Sequence, residues 1–156
     1  MEENHGKMRT AARHLLSLIG STLQGRRLLL VEDNDLNAEI AATILEGDGA
    51  YVSIAGDGAQ AVEAFAANPA GTFDAILMDA VMPKMDSLAA TRAIRALDRP
   101  DAASIPIIAM TGNAFQEDVR ECLEAGMNAH IAKPIDMAKA ERAIAKVVGG
   151  RENSVR

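Results

Sequence analysis

At 156 residues the chain has room for one domain of ordinary size and little more. Its net charge of −6, its pI of about 5.0 and the lack of any basic run argue against direct binding to nucleic acid, and three Phe, one Tyr and no Trp leave little for a base-stacking surface. Cys122 stands alone, which excludes an internal disulfide and, with no signal peptide in view, points to a reducing cytoplasm; no apolar run reaches the ~18 residues that cross a bilayer.

Met1 to Lys7 is polar and reads as a frayed end. Met8, Ala11, Ala12, Leu15, Leu16, Ile19 and Leu23 then fall at helical spacing and make one apolar face, closed by Gly25. This stretch is either a linker helix lying against the domain (or the tail of a neighbouring one) or a docking or dimerising helix.

From Arg26 strands and helices alternate. A first strand over Leu28 to Glu32 is followed by a helix marked by Leu36, Ile40, Ile44 and Leu45 and closed by Gly47 and Gly49. Tyr51 to Ala55 is a short second strand, and Gly56-Asp57-Gly58 turns into a helix carrying Ala61, Val62, Phe65 and Ala66. The third strand, Ala75 to Asp79, leads to a helix marked by Leu88, Ala89, Ile94 and Leu97. The fourth, Ile105 to Thr111, has Pro106 near its start, where a proline is tolerated. A helix through Val119, Cys122 and Leu123 ends at Gly126; the fifth strand, Ala129 to Ala132, precedes a helix marked by Met137, Ala140, Ile144, Val147 and Val148. Five such strand–helix units imply a parallel sheet with helices on both faces. The expected division is a tail and extra helix over 1–25, one domain over 26–149 and a polar tail over 150–156.

The strands end on chemistry. Glu32 and Asp33 close the first, Asp79 the third, Thr111 the fourth and Lys133 the fifth. Ligands bind at the carboxyl rim of open parallel sheets, and the order 2-1-3-4-5, the flavodoxin-like order, gathers these ends around one switch point. Three carboxylates in one crevice repel unless some gain protons or a cation binds. A hard divalent ion with oxygen ligands, magnesium above all, fits. Asp33 and Asp79 would ligate it directly, while Glu32 is placed to hold a metal-bound water. Asp79, central in the set, is the candidate nucleophile toward phosphorus, with Lys133 and the Thr111 hydroxyl on the phosphoryl oxygens. Each residue alone has a plainer reading: Glu32-Asp33-Asn34-Asp35 can cap a helix, Asp79 can be a loop acid, Thr111 a strand end and Lys133 a solvated cation.

The segments Leu-Leu-Leu-Val-Glu32-Asp33-Asn34, Ile-Leu-Met-Asp79-Ala-Val-Met-Pro83-Lys-Met-Asp86, Ile-Pro-Ile-Ile-Ala-Met-Thr111 and His130-Ile-Ala-Lys133-Pro134-Ile-Asp136 resemble those of response-regulator receiver domains, the phosphoacceptor modules of two-component signalling. The resemblance runs from about Arg26 to Val148, and Glu32–Asn37 and Met127–Ile131 are most like receivers of hybrid histidine kinases. It implies phosphorylation of Asp79, an acidic pair in Glu32 and Asp33, the Val81 backbone carbonyl completing the magnesium site, Thr111 as the switch hydroxyl and His130 at the position of the switch aromatic. It also implies a cis bond before Pro134. The implied partner is a histidine kinase or histidine phosphotransfer protein, with no direct contact to nucleic acid or membrane. A homodimer through the helix-four, strand-five, helix-five face or the N-terminal helix is a further expectation. The implied activity is a switch and not an enzyme, beyond self-phosphorylation from phosphodonors and slow autodephosphorylation.

Two departures from the family pattern stand out. Ser87 occupies a position where Gly is usual, so it either sits at strained backbone or caps the third helix. Val81 and Asn113, each two residues beyond a site residue, flank the path of an attacking water, and the apolar Val81 suggests a persistent phosphoryl group. A haloacid-dehalogenase-type phosphatase is the enzymatic alternative, but it wants Asp-x-Asp after the first strand, whereas Asp79-Ala80-Val81 follows the third. A receiver relative that binds partners without being phosphorylated is the other.

Overall fold

The computed structural model describes residues 23–80, 82, 84–112, 116–133, 139–144 and 146–147. Five strands, β1 (Arg27–Val31), β2 (Tyr51–Ala55), β3 (Ala75–Asp79), β4 (Ile107–Thr111) and β5 (Ala129–Ala132), form one parallel sheet in the order β2-β1-β3-β4-β5. The helices are α1 (Asp35–Gly47), α2 (Gly58–Ala67), α3 (Lys84–Arg95) and α4 (Gln116–Ala125), followed by a C-terminal helix that is helical at 139–144 and 146–147. This is the doubly wound, flavodoxin-like arrangement that the alternation predicts. Among the described residues, no helix is long and apolar enough to cross a membrane.

The pleat divides the core. Leu29 and Val31 of β1 face a cluster with Phe65, Ile94 and Cys122, under α2, α3 and α4. Leu28 and Leu30 face the other side with Leu23, Leu45, Ala140 and Ile144, under α1 and the C-terminal helix. β3 and β4 are buried at every residue, which is why they read as unbroken apolar runs.

Several boundaries differ from expectation. β1 stops at Val31, leaving Glu32 just beyond it, and β4 starts at Ile107. Pro106 has no N–H to give the sheet, and the Ile105 N–H goes back to the Asp101 carbonyl at 2.9 Å. α1 buries Ala38, Ala41, Ala42 and Leu45, whereas Leu36 and Ile40 face solvent. Most of the amphipathic stretch 8–24, together with Val81, Pro83, Asn113 and Pro134, lies outside the described residues; Leu23 and Gln24 are within them.

Candidate phosphoacceptor site

Each rim residue is held by a strand end or the bond just after it. The Glu32 N–H donates to the Ala55 carbonyl at 3.0 Å, Ala80 N–H to Met110 at 2.8 Å and Lys133 N–H to Thr111 at 2.7 Å, so the ladders run one step past the strands. Asn34 is the N-cap of α1, its side chain accepting from the Asn37 N–H at 2.9 Å. Capping is thus the task of Asn34, which leaves Glu32 and Asp33 for the crevice.

Carboxylate oxygens of Glu32, Asp33 and Asp79 lie within 4.8 Å of one another. Lys133 Nζ is 2.7 Å from Glu32 Oε2 and 3.2 Å from Asp79 Oδ2. Asp79 is 1% exposed and Glu32 2%, so these groups interact with little water between them. Burial, then Asp79 alongside, push the Glu32 carboxyl above the ordinary range against the pull of Lys133. For Lys133, burial alone would lower the pKa, but the Glu32 hydrogen bond and the charges of Asp79 and Glu32 outweigh it and hold the ammonium protonated. One lysine cannot neutralise three carboxylates. An oxygen-only donor set that keeps net negative charge suits a hard divalent cation.

Thr111 is buried at the end of β4, and its hydroxyl donates to the Ile131 carbonyl over a long 3.5 Å. His130, on β5, is exposed. The Val81 carbonyl, expected at the metal, lies outside the described residues. The described residues thus bring Glu32, Asp33, Asp79 and Lys133 together, with Thr111 on the neighbouring strand and His130 facing out.

Ser87 takes neither of the two roles that its sequence position suggested. It neither adopts strained backbone nor caps a helix: it lies within α3, and among the described residues no non-glycine has a positive φ. Its buried hydroxyl donates to the Asp79 carbonyl at 2.6 Å, and its own carbonyl accepts from the Thr91 hydroxyl at 2.9 Å. The spacing from Asp79 to Ser87 carried no signal, because only the docking of α3 under the sheet rim closes that distance.

Residues 28–145 match the response regulator receiver domain family. The chain belongs to that family. A histidine kinase from Oryza sativa subsp. japonica (probable histidine kinase 6) is 34% identical over 89% of the chain, and histidine kinase 1 of Arabidopsis thaliana is 37% identical over 74%. The chain spans only 16% and 12% of the lengths of these two relatives. The crystallised receiver domain of a Pseudomonas aeruginosa sensor histidine kinase, with magnesium coordinated in its active-site cleft, superposes with a TM-score of 0.70 at 41% identity, covering 80% of this chain and 98% of that one. This chain is therefore a receiver domain of the phosphorelay type, a family of phosphoacceptor switches.

Proposed function

We propose that Asp79 accepts a phosphoryl group from a phosphohistidine of a histidine kinase or histidine phosphotransfer protein. A carboxylate oxygen of Asp79 attacks phosphorus as the P–N bond to the imidazole breaks, and the released ring nitrogen takes up a proton. The observation that carries this reading is the joint placement of Glu32, Asp33 and Asp79 within 4.8 Å under Lys133. Lys133 holds a phosphoryl oxygen once it leaves the Asp79 carboxylate. Asp33 and Asp79, with Glu32 beside them and the Val81 carbonyl expected from the family pattern, would hold magnesium, which would neutralise charge on the phosphoryl oxygens. The magnesium of the Pseudomonas aeruginosa relative supports this assignment.

The switch follows from Thr111. Its 3.5 Å bond to Ile131 is weak, so exchanging it for a phosphoryl oxygen costs little. His130 is then free to swing inward, and the surface of α4, β5 and the C-terminal helix shifts in population toward partner binding, a dimer of this chain included. Self-phosphorylation from small donors and slow autodephosphorylation complete the activity. The lone, buried Cys122 supports a reducing cytoplasm.

The deciding experiment is intact-mass analysis of the chain incubated with acetyl phosphate. A magnesium-dependent phosphoryl adduct that Asp79→Asn abolishes is expected. An adduct that persists in the variant, or none in the wild type, defeats the proposal.

A further inference from the structure

The peptide between Asp79 and Ala80 is held from both sides. The Ala80 N–H donates to the Met110 carbonyl on β4 at 2.8 Å. The Asp79 carbonyl accepts from the Ser87 hydroxyl on α3 at 2.6 Å, at the short end of the range for an O–H···O bond. Asp79 and Ser87 are each 1% exposed, so water is a poor substitute for that donor.

Ser87 is presented from a fixed place. Its own carbonyl accepts from the hydroxyl of the fully buried Thr91 at 2.9 Å, one turn further along α3. α3 in turn seats closely on α2: a Cβ added at Gly58, the first residue of α2, would lie 2.8 Å from the Asp86 carbonyl and 3.1 Å from the Ala90 Cβ. The turn that carries Ser87 has little room to slide. Gly, which the family pattern has here, carries no hydroxyl, so the bond to Asp79 belongs to this chain's own sequence.

The Ser87 proton goes to a carbonyl and the side chain is buried, which suits neither a modification site nor a general acid. Its route to the chemistry is the backbone of Asp79, whose carboxylate lies 3.2 Å from Lys133 Nζ. One Cα bears both the held carbonyl and that carboxylate. In-line attack is sensitive to such placement: a shift of about 1 Å can slow a reaction about a hundredfold.

We propose that Ser87 is a positioning residue for phosphoryl transfer. Its hydroxyl holds the Asp79–Ala80 peptide, and through it the Asp79 carboxylate, in the orientation that meets phosphorus. The consequence for transfer rests on the phosphoacceptor reading of Asp79; the hydrogen bond does not.

The test compares the full chain with Ser87→Ala and Ile94→Val, each shown by circular dichroism to be folded at the assay temperature. With acetyl phosphate and magnesium, Ser87→Ala should gain the phosphoryl adduct about three- to tenfold more slowly than wild type by intact mass. Ile94→Val, which trims a fully buried residue of the same helix, should label within about twofold of wild type, because loss of stability alone does not displace Asp79. Without metal or phosphodonor, the amide nitrogen resonance of Ala80 should move upfield in Ser87→Ala, since its peptide carbonyl has lost a donor, and stay in place in Ile94→Val. Equal labelling of wild type and Ser87→Ala, an unmoved Ala80 resonance, or equal slowing in Ile94→Val would each overturn the proposal. A wild type that takes up no phosphoryl group, with the Ala80 resonance shifting as expected, would instead overturn the phosphoacceptor reading and the transfer role that rests on it.

Discussion

The Ser87 hydroxyl, 2.6 Å from the Asp79 carbonyl, fixes the peptide that follows Asp79. Removing it leaves a buried carbonyl without that donor, a loss of about 1–2 kcal/mol. Ser87→Ala should therefore lower the midpoint of urea unfolding by that amount and slow phosphorylation of Asp79; unchanged values of both would remove Ser87 from the site. Val81 poses the complementary question. If Asp79 is the phosphoacceptor, as proposed, an Asn carboxamide at position 81 would favour an attacking water, so Val81→Asn should speed loss of label about three- to tenfold. Pulse labelling followed by a chase measures it, and equal decay would leave phosphoryl lifetime to other residues. At this scale Glu32, Asp33, Asp79, Thr111 and Lys133 were legible because each ends an apolar run. Ser87 was not, since a serine eight positions away belongs to the site only after α3 packs.

Among the elements, α1 and the C-terminal helix are joined by a carboxyl pair. Asp48, the C-cap of α1, lies against Glu141, which is buried on the C-terminal helix. Burial first, then Glu141, push the Asp48 carboxyl from 3.8 up to about 6, against the pull of the Leu23 N–H. A raised folded-state pKa means that the folded form binds more protons between these values, so this group's contribution to stability falls as pH rises from about 4 to about 6. Asp48→Asn keeps an acceptor for Leu23 and loses the charge. It should flatten that pH dependence and stabilise the protein at pH 7 by about 1 kcal/mol, a figure well below full conversion because water screens the pair. Thermal melts of both proteins from pH 4 to 7 check the slope, and parallel curves would dismiss the pair. Elsewhere Arg95 ties α3 to the start of β5 by donating to the Gly126, Ala102 and Ile105 carbonyls and to Asn128 Oδ1. Helical periodicity located α1 but named only part of its inward face. Of the large aliphatics that marked it only Leu45 is fully buried; the other buried residues are alanines, which a count of large aliphatics passes over, while Leu36 and Ile40 face solvent.

For the whole molecule, repulsion among buried Glu32, buried Asp79 and exposed Asp33 weighs against folding and is offset in part by Lys133. A cation that bound only the folded form would offset the rest by mass action. Magnesium at about a hundred times its dissociation constant should stabilise the domain by about 2.7 kcal/mol. Asp33→Asn should raise metal-free stability and lose most of that response. Calorimetry with and without magnesium separates the two effects, and a variant that keeps the full magnesium shift would take Asp33 out of the metal site. By itself the sequence determined the alternation of strands and helices, their parallel pairing and the chemistry at each strand end, because local periodicity and the need to bury apolar runs act over a few residues at a time. Only the tertiary structure decided that Lys133 bridges Glu32 and Asp79, that Ser87 reaches the Asp79 carbonyl and that Leu36 and Ile40 stay exposed. Those outcomes depend on how helices seat against the sheet, a balance of side-chain volumes that residue spacing does not encode.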